Sequence, residues 1–108
     1  MKINITTKNI SLDEPLRVFI EQKVGDMEKF IKKGPISASV EIGMPSKHHK
    51  TGPIFYAEVN LSVGGKLMRG EASHKDLRTA IGEARDELHV QILKLKEKSK
   101  DLSRAAKK

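Results

Sequence analysis

SHKDLRTAIGEARDELHVQILKLKEK, residues 73–98, is the longest stretch of the chain with an unbroken helical period. Leu77, Ala80, Ile81, Ala84, Leu88, Ile92 and Leu95 recur at steps of three and four. They therefore share one stripe of an α-helix and face a core. Ser73, with Asp76 three residues later, is a capping-box signal in which Asp stands for the usual Glu. At about 100° per residue, Arg78, Arg85, His89 and Lys96 line one flank of the stripe. The opposite flank carries Glu83 and Glu87 early, then Lys94 and Lys98. The helix begins mixed in charge and ends cationic.

A helix with one apolar stripe needs a surface to lie on, and the three segments before it alternate with period two. Residues 36–44, ISASVEIGM, put Ile36, Ala38, Val40, Ile42 and Met44 on one face and Ser37, Ser39, Glu41 and Gly43 on the other. Residues 54–63 alternate Phe55, Ala57, Val59, Leu61 and Val63 against Tyr56, Glu58, Asn60 and Ser62. Gly64-Gly65 is a hairpin signal. Residues 66–72 return as a shorter strand with Met68, Gly70 and Ala72 inward. Between the first two of these segments lies PSKHHKTGP, read as a solvated cationic loop with Lys47, His48, His49 and Lys50. The adjacent histidines have no third ligand at metal-binding spacing, and neighbours in an extended loop point apart.

Nearer the start, residues 2–8 alternate Ile3 and Ile5 with polar neighbours and read as a half-buried strand. Asp13 is the expected N-cap of a first helix over 14–32, with Pro15 in its first turn. Leu16, Phe19, Ile20, Val24, Met27, Phe30 and Ile31 form its stripe, and Gly34-Pro35 ends it. Lys23 falls inside that stripe. Spacing leaves two readings open: a packed stem with its ammonium reaching water, or a lysine aimed at a phosphate from a rigid helix.

The order is β-α-β-β-β-α, an α+β fold. Two strands joined through a helix should be parallel. The next three form an antiparallel meander, and both helices must cover one face of a four-stranded sheet.

With 108 residues the chain is sized for one domain. It holds one Tyr, three Phe and no Trp, so the core must be aliphatic. An aromatic sheet surface for stacking single-stranded bases is not expected. The absence of Cys excludes disulfides and thiolate metal sites. No apolar run marks a signal peptide or a membrane span, so the expectation is a soluble cytoplasmic protein without a membrane partner. The net charge is +7, and it is uneven. Residues 94–108 hold seven Lys/Arg against two acids, and the other 93 hold 14 against 12. Such a local basic excess favours polyanions, nucleic acid first. No phosphate loop, nucleophile motif, metal motif or carboxylate pair is present. No enzyme activity, cofactor, metal or small-molecule substrate is expected.

Four stretches, KINIT (2–6), PLRVFIEQKV (15–24), ASHKDLRTAI (72–81) and ELHVQILKLKEK (87–98), resemble in order and spacing the short ribosome hibernation-promoting factors. These are ribosome-associated translation inhibitors, once named sigma-factor modulation proteins. The likeness covers about residues 1–98. It implies a fold like a double-stranded-RNA-binding domain with an extra N-terminal strand. It also implies binding in the small-subunit channel that mRNA and tRNA would occupy, silencing idle ribosomes reversibly. By position, Arg17, Lys23, Gln91, Lys94 and Lys96 match residues typically on the RNA-facing side, which favours the phosphate reading of Lys23. The chain departs from the pattern at Arg78, where an aromatic is typical, at Gly82 for Asp, at Val90 for a basic residue and at Asp26 for a second lysine.

The rRNA-binding candidates are thus Arg17, Lys23, Arg78, Arg85, His89, Gln91, Lys94, Lys96 and Lys98, with Lys47 and Lys50 as loop contacts. Residues 1–98 are expected to form the ribosome-binding domain, and 99–108 a basic disordered tail. The long family form adds a dimerising domain for which this chain has no room, so a monomer is expected. Two alternatives stand beside this reading: a general binder of structured RNA, and an interaction module for an acidic protein partner.

Overall fold

A computed structural model describes residues 1–31, 36–45 and 54–106, with side chains as far as 96. Its elements follow the expected order. They are β1 (Lys2–Lys8), α1 (Glu14–Gly25), a 3-10 turn (Asp26–Phe30), β2 (Ile36–Gly43), β3 (Phe55–Val63), β4 (Lys66–His74) and α2 (Leu77–Ala106). The sheet order is β1-β2-β3-β4, with β1 parallel to β2 and the remaining pairs antiparallel.

Strand parity sets the two faces of this sheet. Ala38, Val40, Ile42, Ala57, Val59 and Leu61 are buried on one side, with Met68, Gly70 and Ala72 of β4 facing the same way. Leu16, Ile20, Val24 and Met27 descend on them from the α1 side, and Ala80, Ile81, Ala84, Leu88 and Ile92 from α2. Both helices therefore cover one face, as the stripes required. Each fully buried Ile, Leu, Val or Met here contributes about 1.5–3 kcal/mol over an exposed one. The β3–β4 hairpin turns through Gly64 (φ 54°) and Gly65 (φ 87°), the left-handed pair that a two-residue turn needs.

Three boundaries differ from the sequence expectation. The first helix is capped by Asp13 as expected, its carboxylate accepting from the Leu16 amide at 2.9 Å, but its α-helical part ends at Gly25. Gly25 and Asp26 are poor helix formers, and the tighter turn aligns residues three apart, so Met27 stays in the core while Phe30 reaches α2. Ser73 is not the cap of α2. It pairs with Tyr56 inside β4, and Asp76 takes the capping role, accepting from the Thr79 amide at 3.2 Å and hydroxyl at 2.6 Å. At the other end α2 continues past Lys98 through Ala106. Residues 99–106 contain neither Gly nor Pro, and Lys, Leu, Arg and Ala propagate a helix already nucleated. Gly34-Pro35 and the 46–53 loop lie outside the described residues.

Among the described residues no helix is long and apolar enough to cross a membrane. No group of three or more His, Asp or Glu among them is placed to hold a metal ion.

Candidate nucleic-acid interface

The groove between α1 and α2 is built on two phenylalanines. Phe19 of α1 meets two cations at once: the Lys23 ammonium lies 5.8 Å from its ring centroid and the Arg78 guanidinium 5.5 Å. Farther along, Phe30 stacks on His89 with centroids 4.3 Å apart and planes tilted by 30°, and the Lys29 ammonium sits 5.7 Å from the Phe30 ring. Contacts at 19 with 78 and at 30 with 89 mean that the two helical segments run in the same direction. Each cation–aromatic contact at such sites is worth about 0.5–1 kcal/mol, enough to hold an aliphatic stem in place while its charge stays near water. The half-buried Lys23 is held in this way.

Arg85 lies on the same flank, between those two contacts. Its side chain is 23% exposed, and one guanidinium nitrogen meets Asp86 at 3.2 Å. Its Nε is buried without a hydrogen-bond partner. Lys96 continues the line one helical repeat farther on.

The remaining candidates do not join this groove. Arg17 pairs with Glu14 at 3.8 Å, and its helical position turns it to the flank of α1 away from α2. Gln91 donates its side-chain N–H to the Arg69 carbonyl on β4. Lys94 lines a shallow groove with Lys66, Leu67, Met68 and Leu95 on the β4 side of α2. Lys23 and Lys94 thus face opposite flanks of α2. Lys47, Lys50 and the Lys98 side chain lie outside the described residues.

The helical stripe accounts for Phe19 and Phe30 packing against the core but not for the ring contacts each makes with a cation or His89. Both are half-buried. The available signal was each ring's basic neighbour, Lys23 one turn after Phe19 and Lys29 directly before Phe30.

The other face of the sheet is unsuited to a polyanion. Strand register sets Glu41, Glu58 and Glu71 in one row across β2, β3 and β4. Like charges opposed across strands are unfavourable, and two neighbours offset them. Arg69 sits 3.8 Å from Glu58 and 2.9 Å from Glu71, and the Tyr56 hydroxyl donates to Glu41 at 3.0 Å. Burial, then this bond to Glu41, push the Tyr56 hydroxyl above its ordinary pKa, so it stays a donor. Phosphates would meet acid here and cations on the helix side.

Comparison with known proteins shows relatives along most of the chain. The ribosome hibernation promoting factor of Azotobacter vinelandii is 29% identical over 98 residues, covering 91% of this chain and 85% of that protein. That of Pseudomonas putida is 26% identical over 106 residues, covering 98% and 97%. The ribosome hibernation promotion factor of Deinococcus radiodurans is 26% identical over 95 residues, 85% of this chain, and the chain spans only 47% of its length. Among solved structures, the N-terminal domain of Thermus thermophilus Protein Y superposes with a TM-score of 0.75 at 25% identity, covering 88% of this chain and 99% of that one. A ribosomal subunit interface protein from Coxiella burnetii shares the fold, with a TM-score of 0.70 at 18% identity over 90% of this chain. The family model described as Sigma 54 modulation protein / S30EA ribosomal protein matches residues 3–100, and by that match, on the fold just described, the chain belongs to this family.

Proposed function

We propose that the protein is a ribosome hibernation factor that inhibits translation without chemistry. It binds the small ribosomal subunit and occupies the channel that tRNA and mRNA would enter. The observation that carries this reading is the Lys23–Phe19–Arg78 arrangement. It fixes cations from two different helices on one rigid groove, and the acidic row lies on the opposite face of the sheet. Relatives that bear the hibernation-factor name support the same assignment.

In this mechanism the basic flank docks on folded rRNA through phosphates. Each contact is charge-assisted, and each neutralised phosphate releases counterions. The shape of the rRNA supplies specificity, so no base-reading side chain is needed. Occupancy excludes tRNA and mRNA, and dissociation restores the ribosome. The protein acts as a monomer in the cytoplasm.

The test is sedimentation of the protein with purified small subunits across a salt series, with labelled tRNA present. Binding should weaken steeply with salt and release tRNA. Salt-independent binding, or tRNA that stays bound, would overturn the reading. A short RNA duplex that competes as well as ribosomes would point to a general binder of structured RNA.

A further inference from the structure

β4 forms one edge of the sheet, with only β3 beside it among the described residues. The two-residue turn at Gly64-Gly65 makes Val63 and Lys66 a hydrogen-bonded pair, and from there the pairing alternates along the antiparallel ladder. Lys66, Met68, Gly70 and Ala72 therefore bond to β3. Leu67, Arg69, Glu71 and Ser73 turn their N–H and C=O groups to the free side. Gln91 bears out this parity, because its side chain reaches from α2 to the Arg69 carbonyl. That bond divides the edge. On the far side of it, Arg69 is held between Glu58 and Glu71. On the side of the turn, no backbone group among the described residues bonds to the free side of Leu67.

Strand alternation puts Leu67 on the outer face of the sheet and Lys66 and Met68 on the helix face. Leu67 is 77% exposed, the highest value among the described large apolar residues. On the helix face, Lys66, Met68, Lys94 and Leu95 border an open groove. Neither lysine has a carboxylate partner among the described residues. An exposed leucine alone is ordinary. Here it coincides with open backbone groups and two unpaired cations, and together these define what fits.

We propose that the turn-side edge of β4 is a docking site for an acidic, extended segment of a partner protein, which adds to the sheet as a fifth strand. Its backbone pairs with Leu67 and with the Arg69 N–H, and these main-chain bonds hold it in place. Side chains of the added strand alternate between the two faces. Those on the helix face meet Lys66 and Lys94, which select Glu or Asp. Those on the outer face meet Leu67, which selects an apolar residue. A second copy of β4 fits poorly, because it brings its own Lys66, and edge lysines serve to keep like strands apart. RNA supplies neither the backbone partners nor the apolar side chain. The site lies across α2 from the Phe19 groove, so it does not depend on the function proposed above.

The probe is a short end-blocked peptide of alternating Glu and Val, with a Lys–Val counterpart as control. In NMR of the full chain, the Glu–Val peptide should move the Leu67 and Arg69 amide resonances and slow their hydrogen exchange. The Lys–Val peptide should not. Leu67→Pro removes an N–H that β3 does not use, at an edge position where proline is tolerated. It should weaken the Glu–Val peptide about tenfold and leave sedimentation with ribosomes unchanged. Reversing Lys66 and Lys94 together to Glu should invert the preference, so that the Lys–Val peptide binds and the Glu–Val peptide does not. This inversion is read independently of how well the proline variant folds.

Peptides that bind alike, or that both leave the two amides unmoved, overturn the site. Amide shifts that grow with protein concentration in the absence of peptide give the edge to a second copy of the chain. Shifts caused by an RNA duplex and by neither peptide give it to RNA. Weaker ribosome binding by a folded Leu67→Pro variant places the edge against rRNA. Each of these three results also overturns the proposal. A Glu–Val response in a protein that ignores ribosomes supports the site and refutes only the function proposed above.

Discussion

Phe19 shows what a helical period can and cannot deliver at the level of single residues. The period put Arg78, Arg85 and His89 on one flank of α2, because 100° per residue fixes a face regardless of context. It could not say that Arg78 would lie over a ring of α1 beside Lys23, because that contact joins residues far apart in sequence. Asp76 was legible for a local reason, as an acid at the mouth of a helix, although its role was misassigned to Ser73. Hydrogen bonds from Thr79 hold its carboxyl below the ordinary value of 3.8. A carboxylate with a depressed folded pKa stabilises the fold above its unfolded pKa and loses that contribution as pH falls through the folded value. Asp76→Asn keeps a capping acceptor but removes the titration. Urea denaturation at a series of pH values should show wild type more stable than the variant at neutral pH. The difference should close as the pH drops below 3.8, and a gap that persists in strong acid would contradict the capping role.

Among the elements, all four strands could be read because alternation fixes the side-chain face. The helix ends were harder to place, since competing caps and weak formers such as Gly25 decide them. The approach of α2 to β4 was also hidden. A Cβ at Gly70 would overlap the Ala84 carbonyl oxygen and crowd Leu88, so a glycine on the strand sets how closely the helix can lie. Gly70→Ala should therefore destabilise the protein by about 1–3 kcal/mol through overpacking, read as a lower urea midpoint with unchanged m-value. Gln91 belongs to the same contact. Its bond to the Arg69 carbonyl occupies an acceptor on the free edge of the sheet, which exposed edge strands need covered. Gln91→Ala should cost about 0.5–1.5 kcal/mol and speed amide exchange along β4. The salt slope of ribosome binding should not change. A smaller slope with unchanged stability would instead assign Gln91 to RNA.

For the molecule as a whole, the decisive feature is that α2 parts its cations between two sides. Composition revealed the basic excess of residues 94–108, but not which way each charge points. Lys23 and Arg78 share the α1 groove, whereas Lys94 stands with Lys66 over the β4 edge. Phosphate contacts are short-ranged at physiological salt, where screening acts over about 8 Å. One rRNA surface seated in the α1 groove should therefore feel the two sets unequally. Charge reversal at Lys23 and Arg78 together should reduce ribosome affinity by several orders of magnitude, because two attractive contacts become repulsive. Lys94→Glu makes a comparable change in net charge per site but should weaken binding far less, chiefly through the association rate. Sedimentation with ribosomes at one fixed salt concentration ranks the variants, and circular dichroism confirms that each is folded. Should Lys94→Glu prove as damaging per charge as the Lys23 and Arg78 reversals, the rRNA must wrap α2 from both sides. The docking surface would then be the whole helix rather than its groove with α1.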